Sequence, residues 1–118
     1  MAVLALVSDL MMQSQVAGAA VRAAVTLEIA TTADALVEQA AASRPRLVIV
    51  DLSHPGLDTR DVFASLKKVL PAESSTLAFG PHVHAARLAE AAEAGCDTVI
   101  SRGQFHAQME AILRRYAE

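Results

Sequence analysis

Leu47-Val48-Ile49-Val50-Asp51-Leu52-Ser53-His54-Pro55-Gly56-Leu57-Asp58 is the stretch on which the fold turns. Leu47 to Asp51 is a short apolar run, rich in valine and isoleucine, that ends abruptly in a carboxylate. Strands buried on both faces of a parallel sheet have this form. The N-terminal run Ala2 to Val7, followed by Ser8-Asp9, has it too and reads as a first strand.

Outward from these strands the period changes to that of helices. Met12, Val16, Ala19, Ala20 and Ala23 recur at helical spacing, as do Ala33, Leu36, Val37 and Ala40 after a Thr31-Thr32 cap signal. Between them Thr26-Leu27-Glu28-Ile29 alternates polar and apolar, as a half-exposed edge strand does. Val62, Phe63, Leu66, Val69 and Leu70 form a third stripe, opened by Asp58 or Thr59 and closed by Pro71. Thr76 to Phe79 reads as a fourth strand. A helix of mainly alanine follows from about His84 to Ala94 and stops at Gly95. Thr98 to Ser101 is a fifth strand. Phe105, Met109, Ile112, Leu113 and Tyr116 make a last helical stripe, and Ser101 with Gln104 has the spacing of a capping box. Five repeats of strand then helix predict one α/β domain over residues 1–118, a doubly wound parallel sheet joined by right-handed crossovers.

Composition agrees. The 118 residues are 53% hydrophobic and only 3% aromatic, and 25 of them are alanine, which excludes disorder and a two-domain enzyme and predicts helices lying close to whatever they cover. Arg22 interrupts the longest apolar candidate, Val16 to Val25, so no membrane span is expected. Met1 to Val7 is too short for a signal peptide. With a net charge of -3 and only Lys67-Lys68 and Arg114-Arg115 as basic doublets, no nucleic-acid partner is expected. A single cysteine, Cys96, fits a reducing cytoplasm.

In sheets of this kind ligands gather outside the carboxyl ends of the strands. The residues expected there are Ser8 and Asp9, Thr31 and Thr32, Asp51 with Ser53-His54, Gly80-Pro81-His82, and Arg102. Asp51 is the sharpest, because a half-desolvated carboxylate is costly unless it binds something. Asp9 on the neighbouring strand would supply a second carboxylate for a hard cation such as Mg2+. In the competing reading Asp9 caps the first helix and Asp51 pairs with Arg102. His54, His82, His84 and His106 lack the spacing of a structural zinc site. Nucleotide-binding glycine motifs and a nucleophile elbow are absent, and Cys96 reads as a small core residue.

Across its whole length the chain resembles the receiver domain of two-component response regulators. Leu47 to Asp58 looks like that family's phosphoacceptor strand and loop: an apolar strand ends in Asp51, a proline follows at Pro55, and Asp58 comes three further on. Glu93-Ala94-Gly95-Cys96-Asp97 looks like the segment before the last strand, and Gly80 and Arg102 are spaced as the family's switch hydroxyl and lysine. The resemblance implies a flavodoxin-like (βα)5 sandwich with strand order 2-1-3-4-5, Asp51 at the phosphoacceptor position, and a Mg2+ site built on Asp9 and Asp51.

Several positions depart from the family pattern. Ser8 replaces the first of the two adjacent acids, which weakens the Mg2+ site. Gly80 stands where the switch hydroxyl should be, Arg102 where the lysine should be, Val99 at the aromatic switch position, and Thr59 in place of the small residue after Asp58. Arginine keeps the charge but not lysine's compact ammonium geometry.

The resulting expectation is a non-enzymatic, cytoplasmic signalling module. It would be an atypical receiver that works through protein–protein contact with little or no dependence on phosphorylation. The alternative is a working receiver phosphorylated on Asp51 by a histidine kinase with Mg2+, with Ser8 acting through a water in place of the missing acid. A remote alternative is a small metal-assisted hydrolase using Asp9, Asp51, His82 and Arg102. Partners would be a histidine kinase or an output protein, since no output domain is read within residues 1–118. The resemblance also implies a partner or homodimer surface on the fourth helix, fifth strand and fifth helix, with Arg87, Glu90 and Arg114 as its charges.

Overall fold

A computed structural model describes residues 2–116. Five strands, β1 (Ala2–Leu6), β2 (Thr26–Ala30), β3 (Leu47–Asp51), β4 (Ser75–Gly80) and β5 (Thr98–Ser101), alternate with α1 (Leu10–Ala23), α2 (Ala33–Ser43), α3 (Thr59–Val69), α4 (Ala85–Glu93) and α5 (Arg102–Arg114). All strand pairs are parallel and the sheet order is β2-β1-β3-β4-β5. The doubly wound α/β sandwich expected from the alternation is the one observed.

Each strand runs close to its expected length. β1 stops at Leu6, one residue earlier than expected, yet Val7 still donates its backbone N–H to Ala30 O at 3.2 Å. β4 reaches one residue beyond both expected ends, because Ser75 and Gly80 still pair with Leu47 and Ser101. β2 is the half-exposed edge that its alternation predicts.

Two cores lie on opposite faces of the sheet. On one, α1 and α5 cover Val3, Ala5, Leu47, Ile49, Leu77 and Phe79. On the other, α2, α3 and α4 cover Leu4, Leu6, Val48, Val50 and Ala78. The two aromatics of the first core stack: Phe79 of β4 and Phe105 of α5 have ring centroids 4.1 Å apart and planes within 5°. All five stripe residues of α1 and four of the five of α5 are buried core, and Tyr116, the fifth of α5, packs at its edge.

The caps follow the residues. Asp9, Thr32, Asp58 and Ser101 each accept a backbone N–H from the first turn of the helix they open, and Ser101 with Gln104 forms the full capping box. His84 precedes α4 without such a bond. After α4, Gly95 takes φ +100, the left-handed conformation that glycine adopts at least cost. Two other helices end on left-handed residues with side chains, Ala24 at φ 58 and Arg44 at φ 49. No helix among the described residues is long and apolar enough to cross a membrane.

Candidate functional site at the carboxyl ends of the strands

Asp51 closes β3 with 3% of its surface exposed, paired in register with Phe79 of β4. Its Oδ1 accepts the backbone N–H of Ser53 at 2.9 Å, and its backbone carbonyl accepts from His54 N at 3.1 Å. These bonds fold the chain back over the strand end. His54 then ties this loop to the next one: Nε2 lies 2.6 Å from Thr31 O and Nδ1 3.0 Å from Pro55 O. The Ser53 hydroxyl oxygen is buried with no hydrogen-bond partner.

Asp9 is committed elsewhere. Its two carboxylate oxygens accept from Met11 N at 3.4 Å and Met12 N at 3.3 Å, which caps α1, and Arg102 Nη2 stands 3.5 Å from Oδ2. Both side chains of that pair are partly open to water, 51% for Asp9 and 37% for Arg102, so it is a surface ion pair of modest strength. The expected capping role of Asp9 is therefore observed. The expected pairing of Arg102 with Asp51 is corrected: the guanidinium sits on Asp9, because Arg102 is the first residue of α5 and lies beside the first turn of α1.

Gly80 is buried at the end of β4, and a side chain there would be crowded. A Cβ built there would lie 3.3 Å from Leu52 Cβ and 3.7 Å from Leu88 Cδ2. Leu52, which the sequence did not single out as a site residue, is thus the side chain that lies against Gly80. Its backbone extends the sheet, N–H to Phe79 O at 2.9 Å, and its carbonyl accepts from Arg87 Nη1 of α4 at 3.0 Å. A bulky apolar residue directly after the acid, with a glycine at the end of the next strand, was the available signal. Val99 of β5 packs into the same core as Leu88 and Cys96. Thr59 is buried as the first residue of α3, behind the Asp58 cap.

The remaining expected residues scatter. His82 and His84 are exposed in the loop before α4, and His106 is exposed on α5. Among the described residues no group of three or more His, Cys, Asp or Glu side chains is placed to hold a metal. A Mg2+ site fits these residues poorly: Asp51 offers one carboxylate, Ser8 a neutral hydroxyl, and Asp9 already faces the cationic Arg102. Arg87 is engaged with Leu52. Glu90 lies 3.4 Å from Arg60 of α3, and Arg60 also reaches Glu93 at 3.1 Å. Arg114 pairs with Glu110 at 2.6 Å and approaches Arg22 O at 3.5 Å, on the flank of α5 that faces α1. Burial pushes the Cys96 thiol up from its ordinary pKa, as suits a core residue.

No family model matches the chain, and no curated protein does. Solved structures do. The fold is that of response-regulator receiver domains. The receiver domain of NtrX from Brucella abortus superposes with TM-score 0.81 at 20% identity, covering 98% of this chain and 97% of that one. Against the longer NtrX chain the match covers 99% of this chain and only 27% of that one, at 21% identity. The receiver domain of a sensor histidine kinase from Pseudomonas aeruginosa, with a magnesium ion coordinated in its active-site cleft, matches at TM-score 0.80 and 14% identity over 98% of this chain and 95% of that one. A response regulator from Burkholderia pseudomallei, with a phosphorylated aspartic acid and a calcium ion, matches at TM-score 0.80 and 19% identity over 97% of this chain and 65% of that one.

Proposed function

We propose that this chain is an atypical receiver: a cytoplasmic signalling module that acts by protein–protein contact, with little or no dependence on phosphorylation of Asp51. The observation that carries this reading is the ion pair between Arg102 and Asp9. The cation that would hold a phosphoryl group and the acid that would hold a metal neutralise each other. Gly80 supports the reading, because it offers no switch hydroxyl and a side chain there would press on Leu52 Cβ at 3.3 Å. The partner would be a histidine kinase or an output protein. The expected contact face on α4, β5 and α5 keeps Arg87 and Glu90 as its charges, whereas Arg114 belongs to the flank toward α1.

The test is to add Mg2+ with beryllofluoride and record amide NMR shifts. Spectra that stay unchanged around Asp51 are expected. Saturable shifts at Asp51 that spread to α4 and β5 would overturn the proposal in favour of the phosphoacceptor reading. One observation favours that second reading: Asp51 itself remains, buried at the strand end with one oxygen held by a backbone N–H. A phosphoryl group there would add about -1.5 to -2 charges, enough to draw Arg102 away from Asp9. The hydrolase reading draws no such support, since Arg102 is turned to Asp9 and His82 is exposed in its loop.

A further inference from the structure

β2 is one of the two edges of the sheet. It pairs with β1 alone, so the other side of its backbone meets no strand among the described residues. Such an edge is a template for a further strand. Leu27 and Ile29 stand opposite Val3 and Ala5, on the side of the sheet covered by α1, and both are half-buried. Glu28 stands opposite Leu4, on the side covered by α2.

Glu28 is the anomaly of this edge. The residue is only half-buried, yet its Oε1 is enclosed and meets no hydrogen-bond partner among the described residues. A carboxylate oxygen shielded from water costs free energy until a donor reaches it. No cation in its own part of the chain can supply one. Residues 26–43, which make up β2, α2 and the turn between them, hold Glu28, Asp34 and Glu38 and no lysine, arginine or histidine. None of the three acids takes part in an ion pair among the described residues. The field along this edge is therefore negative, and it favours a positively charged partner.

We infer that the open edge of β2 takes an extended segment of a basic partner protein, added as a further strand, with a lysine or arginine beside Glu28 and an apolar residue on either side of that cation. Residues flanking the cation in a strand point to the opposite face, where Leu27 and Ile29 lie. Backbone hydrogen bonds supply the attachment and the cation supplies the choice of partner. A second copy of this chain does not fit. β2 paired antiparallel with another β2 about its centre sets Glu28 against Glu28, and like charges directly opposite each other repel. β2 and β5 are opposite edges of the sheet, so this surface is separate from that of α4, β5 and α5, and the inference does not rest on the state of Asp51.

The test titrates the unaltered chain with a capped nonapeptide that carries lysine at its centre between two valines, and follows the amide NMR spectrum. Saturable shifts at millimolar peptide are expected at Leu27, Glu28 and Ile29, and none in α4 or β5. The same peptide with glutamate at its centre should bind about fivefold more weakly, the worth of a cross-strand charge pair. Glu28→Lys should reverse that preference. Glu28→Gln keeps the shape of the side chain and should abolish the preference, which preserves the test if the lysine variant fails to fold by circular dichroism. A spectrum without shifts at β2 would overturn the inference. So would equal binding of the two peptides by the unaltered chain, or a preference that does not follow the residue at position 28 in a folded variant.

Discussion

Helices α1 and α4 are built from similar material, yet they meet the sheet in opposite ways. In α1 five residues are buried, among them Met12 and Val16, while its outer face is apolar and unpaired. In α4 only Ala91 is fully buried, and the exposed face is tied down by polar contacts: Arg87 to Leu52 O, and Glu90 and Glu93 to Arg60. Alanine lets a helix lie close to a sheet, but it supplies little area, so a helix of alanines needs another anchor. In α1 that anchor is a methionine and a valine beneath the small residues. In α4 it is a set of surface hydrogen bonds, which are individually weak. The contrast shows that the charges on α4 have partners within the chain, whereas the outer side of α1 exposes Leu10 and Val21.

The largest effect should come from the anchors themselves. Met12→Ala is expected to cost about 2–5 kcal/mol in urea denaturation, whereas Leu88→Ala, at the half-buried edge of α4, should cost well under that. Equal losses would break the comparison. Next is Gly80→Ser, which pushes a Cβ to within 3.3 Å of Leu52 Cβ and crowds Leu88. It should destabilise by about 1–3 kcal/mol, with amide shifts concentrated in the Leu52 loop and α4 and none in α1.

The two helix ends provide a third test. α1 is followed by Ala24 at φ 58 and α4 by Gly95 at φ 100. Ala24→Gly should therefore raise the unfolding free energy, and Gly95→Ala lower it, each by about 1 kcal/mol. The smallest effect concerns pH. Hydrogen bonds from Arg22 and Arg114 hold the Glu110 carboxyl below its ordinary pKa. The stabilisation it brings is complete above the unfolded value, about 4.3, and is lost as pH falls through the lower folded value. Thermal melts of Glu110→Gln should match the unaltered chain's acid dependence less that small step, which sharpens how far α1 and α5 hold each other.

Much of this was legible in the chain. Leu47 to Asp51 and Ala2 to Leu6 are strands whose patterns do not depend on what they pack against, since a strand buried on both faces must be apolar throughout. The caps at Asp58 and Ser101 were legible for the same local reason, as were the stop at Gly95 and the half-exposed edge at Thr26 to Ile29. The left-handed ends at Ala24 and Arg44 were not, because neither residue prefers that conformation and only the return of the chain to the sheet imposes it.

The site divides along the same line. Residue type alone places a carboxylate at the apolar strand end of Asp51 and leaves Gly80 without a hydroxyl and Val99 without an aromatic ring. The packing of the elements set the rest: Arg102 turns to Asp9, Leu52 lies against Gly80, and Arg87 reaches across to Leu52. Those choices depend on which strand ends and helix starts lie side by side, and contacts between residues up to 93 positions apart cannot be read from local pattern.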